Sequence, residues 1–343
     1  MYLNKEAYLS NLARSGGRTF DYRKAAESGG WADWRREFRL KLRELLGMRH
    51  IEAPADLRPA CEETEELDAY TLEKWHIATE PGIVIPFYLL LPRGKPGPFP
   101  LVIAPHGHGR RGKEVYVGRF ADDRERSEAL EGDRDIALQA VGAGYAVIAP
   151  DVRGFWEMAA EEDMARGKAN SCETLQRSAL MYGRTLIGER VHDMGRLIDY
   201  AATRGEIDVS RIAITGNSGG GTVSLFTAAL DERVGVAVPG SYFCTFERSI
   251  VPIHHCPCNI VPGMLQLGEM YDVAGLIAPR PILVVHGRDD AIYPIEGTRE
   301  AFDHLRNVYR SMGAEDRCEL YVGQGGHRYY KERVWDFVGK HLG

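Results

Sequence analysis

No apolar run in this chain of 343 residues is long enough to cross a bilayer. Its first residues, MYLNKEAYLSNLARSGG, have neither the apolar stretch nor the small-residue cleavage site of a secretory leader. These gaps point away from a membrane and give a cytoplasmic location as the expectation. A basic stripe is also missing. With a net charge of −6 and a pI near 6.0, nothing recommends a nucleic-acid partner. The six cysteines (61, 172, 244, 256, 258 and 318) are scattered apart from one close pair, a usage that suits reduced thiols better than a disulfide framework. Internal repeats and low-complexity tracts are absent too. What remains is an ordinary globular composition, 44% hydrophobic and 27% charged, enough for one large α/β domain or two smaller ones.

Against that background one segment stands out. Arg211-Ile-Ala-Ile-Thr-Gly-Asn-Ser-Gly-Gly-Gly-Thr222 is a β-branched run that breaks at once into glycines around a single serine. It reads as strand, sharp turn and helix, with Gly216-Asn-Ser-Gly-Gly220 matching G-x-S-x-G, the nucleophile elbow. A side chain at 216 or 220 is expected to collide with the neighbouring strand or helix, which is why those positions are glycine. A bare five-residue pattern among 38 glycines is weak evidence, but the flanking strand and the apolar helix Thr222 to Leu230 supply the context it requires.

The rest of the chain supports a wound sheet. Residues 1–60 form a helical extension with Trp34, Phe38, Leu42 and Leu45 on one face, stopped at Gly47. Leu72 to Pro92 reads as a hairpin turning near Glu80-Pro-Gly82. From residue 101 onward strands and helices alternate, which implies a mostly parallel sheet of about eight strands with helices on both faces, spanning residues 70–343. Two stretches break the rhythm: the charged segment Arg110 to Gly132, expected to be solvated, and a long loop insertion at about 241–278.

A serine hydroxyl needs a histidine to take its proton and a carboxylate to orient that histidine. The strand Ile282 to Val285 leads into His286-Gly-Arg-Asp-Asp290, and of the two aspartates Asp290 is the choice, with Asp289 the alternative. The strand Cys318 to Val322 leads into Gly323-Gln-Gly-Gly-His327, making His327 the candidate general base. The order Ser218, Asp290, His327 is that of α/β-hydrolases. Oxyanion donors are expected from the backbone N–H of Gly219 and, in Pro105-His-Gly-His-Gly109, from that of His108, with Gly109 as the alternative.

On these elements, together with Asp151-Val-Arg-Gly154 and Gly325-Gly-His327, the chain resembles the α/β-hydrolases of the dienelactone hydrolase and acetyl xylan esterase-like kind over roughly residues 70–343. It is similar especially to the bacterial branch carrying G-N-S-G-G-G-T and a later H-H-C-P-C-N segment. The resemblance implies deacylation of a small-molecule or carbohydrate ester through an acyl-enzyme, with no cofactor. It departs from the dienelactone hydrolases in having serine rather than cysteine at 218. Phe155 and Trp156 also follow the Arg-Gly turn where many relatives have a small residue, which makes them candidates for lining an acyl pocket.

Three further expectations concern residues outside the triad. Arg153 and Glu157 are candidate substrate contacts, although an Arg–Asp lock of the turn explains Arg153 equally well. His255 is a candidate contact from the long loop. His254-His-Cys-Pro-Cys258 offers imidazole and thiolate donors, but a single residue between the cysteines and no second pair in the chain argue for a packed loop and no metal. Other classes considered are a serine peptidase of the prolyl oligopeptidase type, disfavoured by the lack of a preceding propeller, and a non-catalytic binding module, disfavoured by the complete triad. Self-association is left open.

Overall fold

The computed structural model describes every residue except 1, 16 and 343. Nine strands form one sheet: β1 (Ala60–Glu66), β2 (Tyr70–Glu80), β3 (Ile83–Pro92), β4 (Phe99–Ile103), β5 (Ala146–Pro150), β6 (Ile207–Asn217), β7 (Val236–Gly240), β8 (Ile282–Gly287) and β9 (Cys318–Gly323). Their order is β1-β2-β3-β5-β4-β6-β7-β8-β9, antiparallel from β1 to β5 and parallel from there on. This is the α/β-hydrolase fold.

Period-two alternation divides the core between the two faces of the sheet. Leu101 and Ile103 of β4 point into one layer with Ile148, Ile214 and Val284, while Val102 points into the other with Val147, Ala213 and Val285. Both layers are covered by helices, so the central strands are apolar on both sides and read as continuous hydrophobic runs. The stripe Ile187, Val191, Met194, Ile198 and Ala201 lies buried on the helix Leu186–Ala201. In the N-terminal region, Trp34, Phe38 and Leu42 of the helix Trp31–Leu45 are buried in the first of these layers. Gly47 follows that helix with φ +72°, and a Cβ there would lie 2.1 Å from the carbonyl oxygen of Gly183.

The structure adds one strand to those read from the sequence and corrects the reading of 110–132 as solvated. β1, whose sequence ACEETEE is exposed almost throughout, is an added edge strand that carries no apolar alternation to reveal it. The segment 110–132 contains helices Lys113–Tyr116 and Asp123–Glu131. Its Lys113 is fully buried, with Nζ 2.7 Å from Asp151 and a further contact to Glu157. The insertion 241–278 is mostly loop and carries the short helices Met264–Leu267 and Met270–Gly275.

Candidate active site

Strand β6 delivers Ser218 to the carboxyl edge of the sheet, the side on which loops of a wound α/β fold gather ligands. Ser218 has φ +57° and ψ −115°, a conformation that costs energy for any residue with a Cβ. It is held by its own N–H, which donates to Gly240 O at 2.8 Å, and by the helix Gly219–Leu230, whose first turn bonds Thr222 N–H to Ser218 O. The preceding Asn217 N–H donates to the hydroxyl of Tyr116 at 3.1 Å. A Cβ at Gly216 would sit 2.2 Å from Pro105 O and one at Gly220 only 2.1 Å from the same oxygen. The loop after β4 therefore leaves room for glycine alone on both sides of the elbow.

The loops after β8 and β9 meet next. A Cβ on Gly287 would lie 2.1 Å from Gly326 O, and Asp289 N–H donates to Gly325 O at 2.7 Å. This contact brings His327 Nδ1 to 2.7 Å from Asp290 Oδ2. The other oxygen of Asp290 accepts from the N–H groups of Ile292 (3.0 Å) and Tyr293 (3.1 Å). Burial pushes the Asp290 carboxyl up, but the bond and charge of His327 and the two N–H groups outweigh it and hold the group below its usual range. An ionised carboxylate only accepts, so Nδ1 carries the imidazole proton and Nε2 is left with the free lone pair. Asp289 is exposed and pairs with Arg288. The His327 ring stacks on Tyr293, which also carries His255 on its ring.

Ser218, His327, His108, His254 and His255 all line one cavity of about 610 Å3. Of the two alternatives for the second oxyanion donor, the N–H of Gly109 is already committed to Gly107 O at 2.9 Å. Gly107 packs closely on the elbow, where a Cβ would lie 2.4 Å from Asn217 O, and the His108 ring lies against Gly219, with Nδ1 2.9 Å from where a Cβ on that glycine would sit.

Other candidate residues lie elsewhere. Arg153 is buried and bonds Asp193 through Nε (2.6 Å) and Nη2 (2.7 Å) and Glu80 through Nη1 (2.6 Å). It locks the turn and does not line the cavity. Phe155 is 1% exposed beneath His106, His108 and the Arg190 guanidinium, and Trp156 packs under Arg111. Neither reaches the cavity. Glu157 pairs with Lys74 and Lys113.

The expectation of no metal rested on the lack of partners for Cys256 and Cys258, and that premise is overturned. The Sγ atoms of Cys172, Cys256 and Cys258 and a ring nitrogen of His108 all lie within 4.8 Å of one another. Tyr116 and Tyr293 also support the site without having been singled out, since a tyrosine's role beneath a loop depends on which loop lands on it.

Residues 8–324 match the model of the Abhydrolase family. The chain belongs to that family. It is 30% identical over 307 residues to a Bacillus subtilis (strain 168) member called "Putative hydrolase YtaP", covering 85% of this chain and 94% of that protein. Among solved structures it is similar to a Bacteroides fragilis NCTC 9343 protein described as a "putative acetyl xylan esterase", with a TM-score of 0.78, 20% identity, and 94% of this chain and 83% of the other covered. It is also similar to a glucuronoyl esterase from Solibacter usitatus, with a TM-score of 0.62, 13% identity, and 88% and 91% covered. These likenesses establish that this Abhydrolase chain shares its fold with those proteins.

Proposed function

We infer that the protein is a serine esterase acting on small-acyl or acetylated carbohydrate esters. The observation that carries the reading is the convergence on one cavity of a serine in a strained elbow and a histidine hydrogen-bonded to a buried carboxylate. In the mechanism that follows, His327 Nε2 takes the proton of Ser218 Oγ as that oxygen attacks the ester carbonyl. The N–H groups of Gly219 and His108 hold the oxyanion, and His327 returns the proton to the leaving alcohol. Water repeats the sequence on the acyl-enzyme, with Asp290 keeping the imidazole in the productive tautomer throughout. The descriptions of the structural relatives, an acetyl xylan esterase and a glucuronoyl esterase, support esters of carbohydrates as the substrate class.

The test compares wild type with Ser218→Ala on 4-nitrophenyl acetate, acetylated xylo-oligosaccharides and a chromogenic dipeptide. The wild type is expected to cleave the first two and not the third, and the variant to lose at least about 10^4-fold in kcat. Ester hydrolysis that survives the substitution removes the serine mechanism, and preferential cleavage of the dipeptide removes the esterase assignment.

A further inference from the structure

We propose that Cys172, Cys256, Cys258 and His108 form a structural zinc site bordering the active-site cavity. The four donors arrive from three places: the loop after β4, the start of the helix Cys172–Met181, and the His254–Cys258 stretch of the long insertion. Cys258 Sγ lies 3.3 Å from Cys256 Sγ and 3.5 Å from His108 Nε2. Zinc–sulfur bonds of about 2.3 Å and zinc–nitrogen bonds of about 2.05 Å set tetrahedral edges of about 3.8 and 3.6 Å, so these two edges lie within about 0.5 Å of the required values and the remaining ones, all under 4.8 Å, need shorten by about 1 Å at most. At 3.3 Å the two sulfurs are well beyond the disulfide length of about 2.05 Å. Three thiolates and one imidazole are a soft, nitrogen-containing set that suits zinc, and four protein donors leave no position for water or substrate.

A second, independent observation concerns charge. Arg190 is 1% exposed, and among the described residues its hydrogen bonds run to a backbone oxygen and a thiol and to no carboxylate. Its Nε and Nη2 donate to Arg153 O, while Nη2 also lies 3.3 Å from Cys172 Sγ. A buried guanidinium facing neutral thiols would lack a counter-charge, which is costly. Zinc with three thiolates carries one net negative charge, and Arg190 then balances it as an outer partner of a ligand sulfur.

The experiment reads metal directly and does not depend on activity. The full chain is loaded with zinc(II), dialysed and analysed for metal, and a parallel sample is loaded with cobalt(II). The expected result is about one zinc per chain and, for cobalt, sulfur-to-metal charge-transfer absorption with the intense d–d bands of a tetrahedral site. Cys258→Ser and Cys172→Ser should lose stoichiometric zinc, whereas Cys61→Ser, at an exposed thiol outside the cluster, should keep it. Because a cluster variant can fail to fold, alkylation of the wild type is mapped with and without zinc, and protection of cysteines 172, 256 and 258 by the metal is expected. Substoichiometric zinc in the wild type, cobalt absorption without the charge-transfer band, or alkylation of those three thiols unaffected by zinc each overturns the proposal.

Discussion

Replacing Asp290 by asparagine separates an orienting carboxylate from a merely structural one, and the structure sets the size of the effect. One carboxylate oxygen accepts from both Ile292 and Tyr293 N–H, so the asparagine carbonyl must take that place; the reverse orientation would set an amide NH2 against two donors. The NH2 then faces His327 Nδ1 at the position now 2.7 Å away. Nδ1 is forced to accept, the ring proton moves to Nε2, and the base is lost although every atom stays nearly in place. A wrong tautomer of this kind costs about 10^4-fold in kcat, or about 5.5 kcal/mol of transition-state stabilisation. Asp289→Asn removes only an exposed pair with Arg288, at 3.2 Å, and such pairs are worth about 0–1 kcal/mol, so its kcat should stay within about twofold. The assay is steady-state hydrolysis of 4-nitrophenyl acetate, with thermal melts showing that both variants are folded. Equal losses in the two variants, or an Asp290→Asn enzyme retaining most of its kcat, would refute the orienting role.

Two further outcomes follow from groups away from the nucleophile. Arg153→Met strands the buried Asp193 carboxylate and should cost about 3–5 kcal/mol in urea unfolding, with KM unchanged in the fraction that folds; a raised KM at unaltered stability would instead make Arg153 a substrate contact. Burial pushes the Asp272 carboxyl, which accepts from Glu269 N–H and Tyr22 N–H, up to about 7. With the folded value above the unfolded one, its contribution to stability is greatest in acid and is lost as pH rises through about 7. The stability difference between wild type and Asp272→Asn should therefore shrink from pH 5 to pH 8, and a difference that grows over that range contradicts the assignment.

The features legible in the sequence are those whose physics is local along the chain. Ile212, Ala213 and Ile214 declare a strand covered on both faces because each side chain there is apolar, and the glycines at 216 and 220 record the approach of a carbonyl to within 2.2 Å of where a Cβ would sit. His327 and Asp290 stand out because each follows the end of a strand, and the loops that carry them bring the two side chains to 2.7 Å. β1 is opaque for the converse reason, since a solvated edge strand held by β2 alone needs no apolar pattern. Lys113 falls in a charged run and reads as solvated; its burial depends on Asp151 and Glu157, some forty residues away in the chain, and no count of local charges contains that information.

The thiol cluster is hidden by a sharper version of the same problem. A rule built on ligand pairs along the chain finds Cys256 and Cys258 and then seeks a second pair, but here the other two donors are single residues on separate elements, and one of them, His108, is already occupied by a different argument. That residue has two ends with two uses. Its neighbour Gly107 packs on Asn217 of the elbow, while its own imidazole lies against Gly219 and turns Nε2 to the sulfur of Cys258. A loop whose N–H must face a developing oxyanion gains from being fixed at the neighbouring side chain, because a preorganised donor requires no rearrangement at the moment of reaction. The same short H-G-H-G stretch can thus serve the elbow and the cluster together, and only the folded chain brings the elbow and the thiols to one residue.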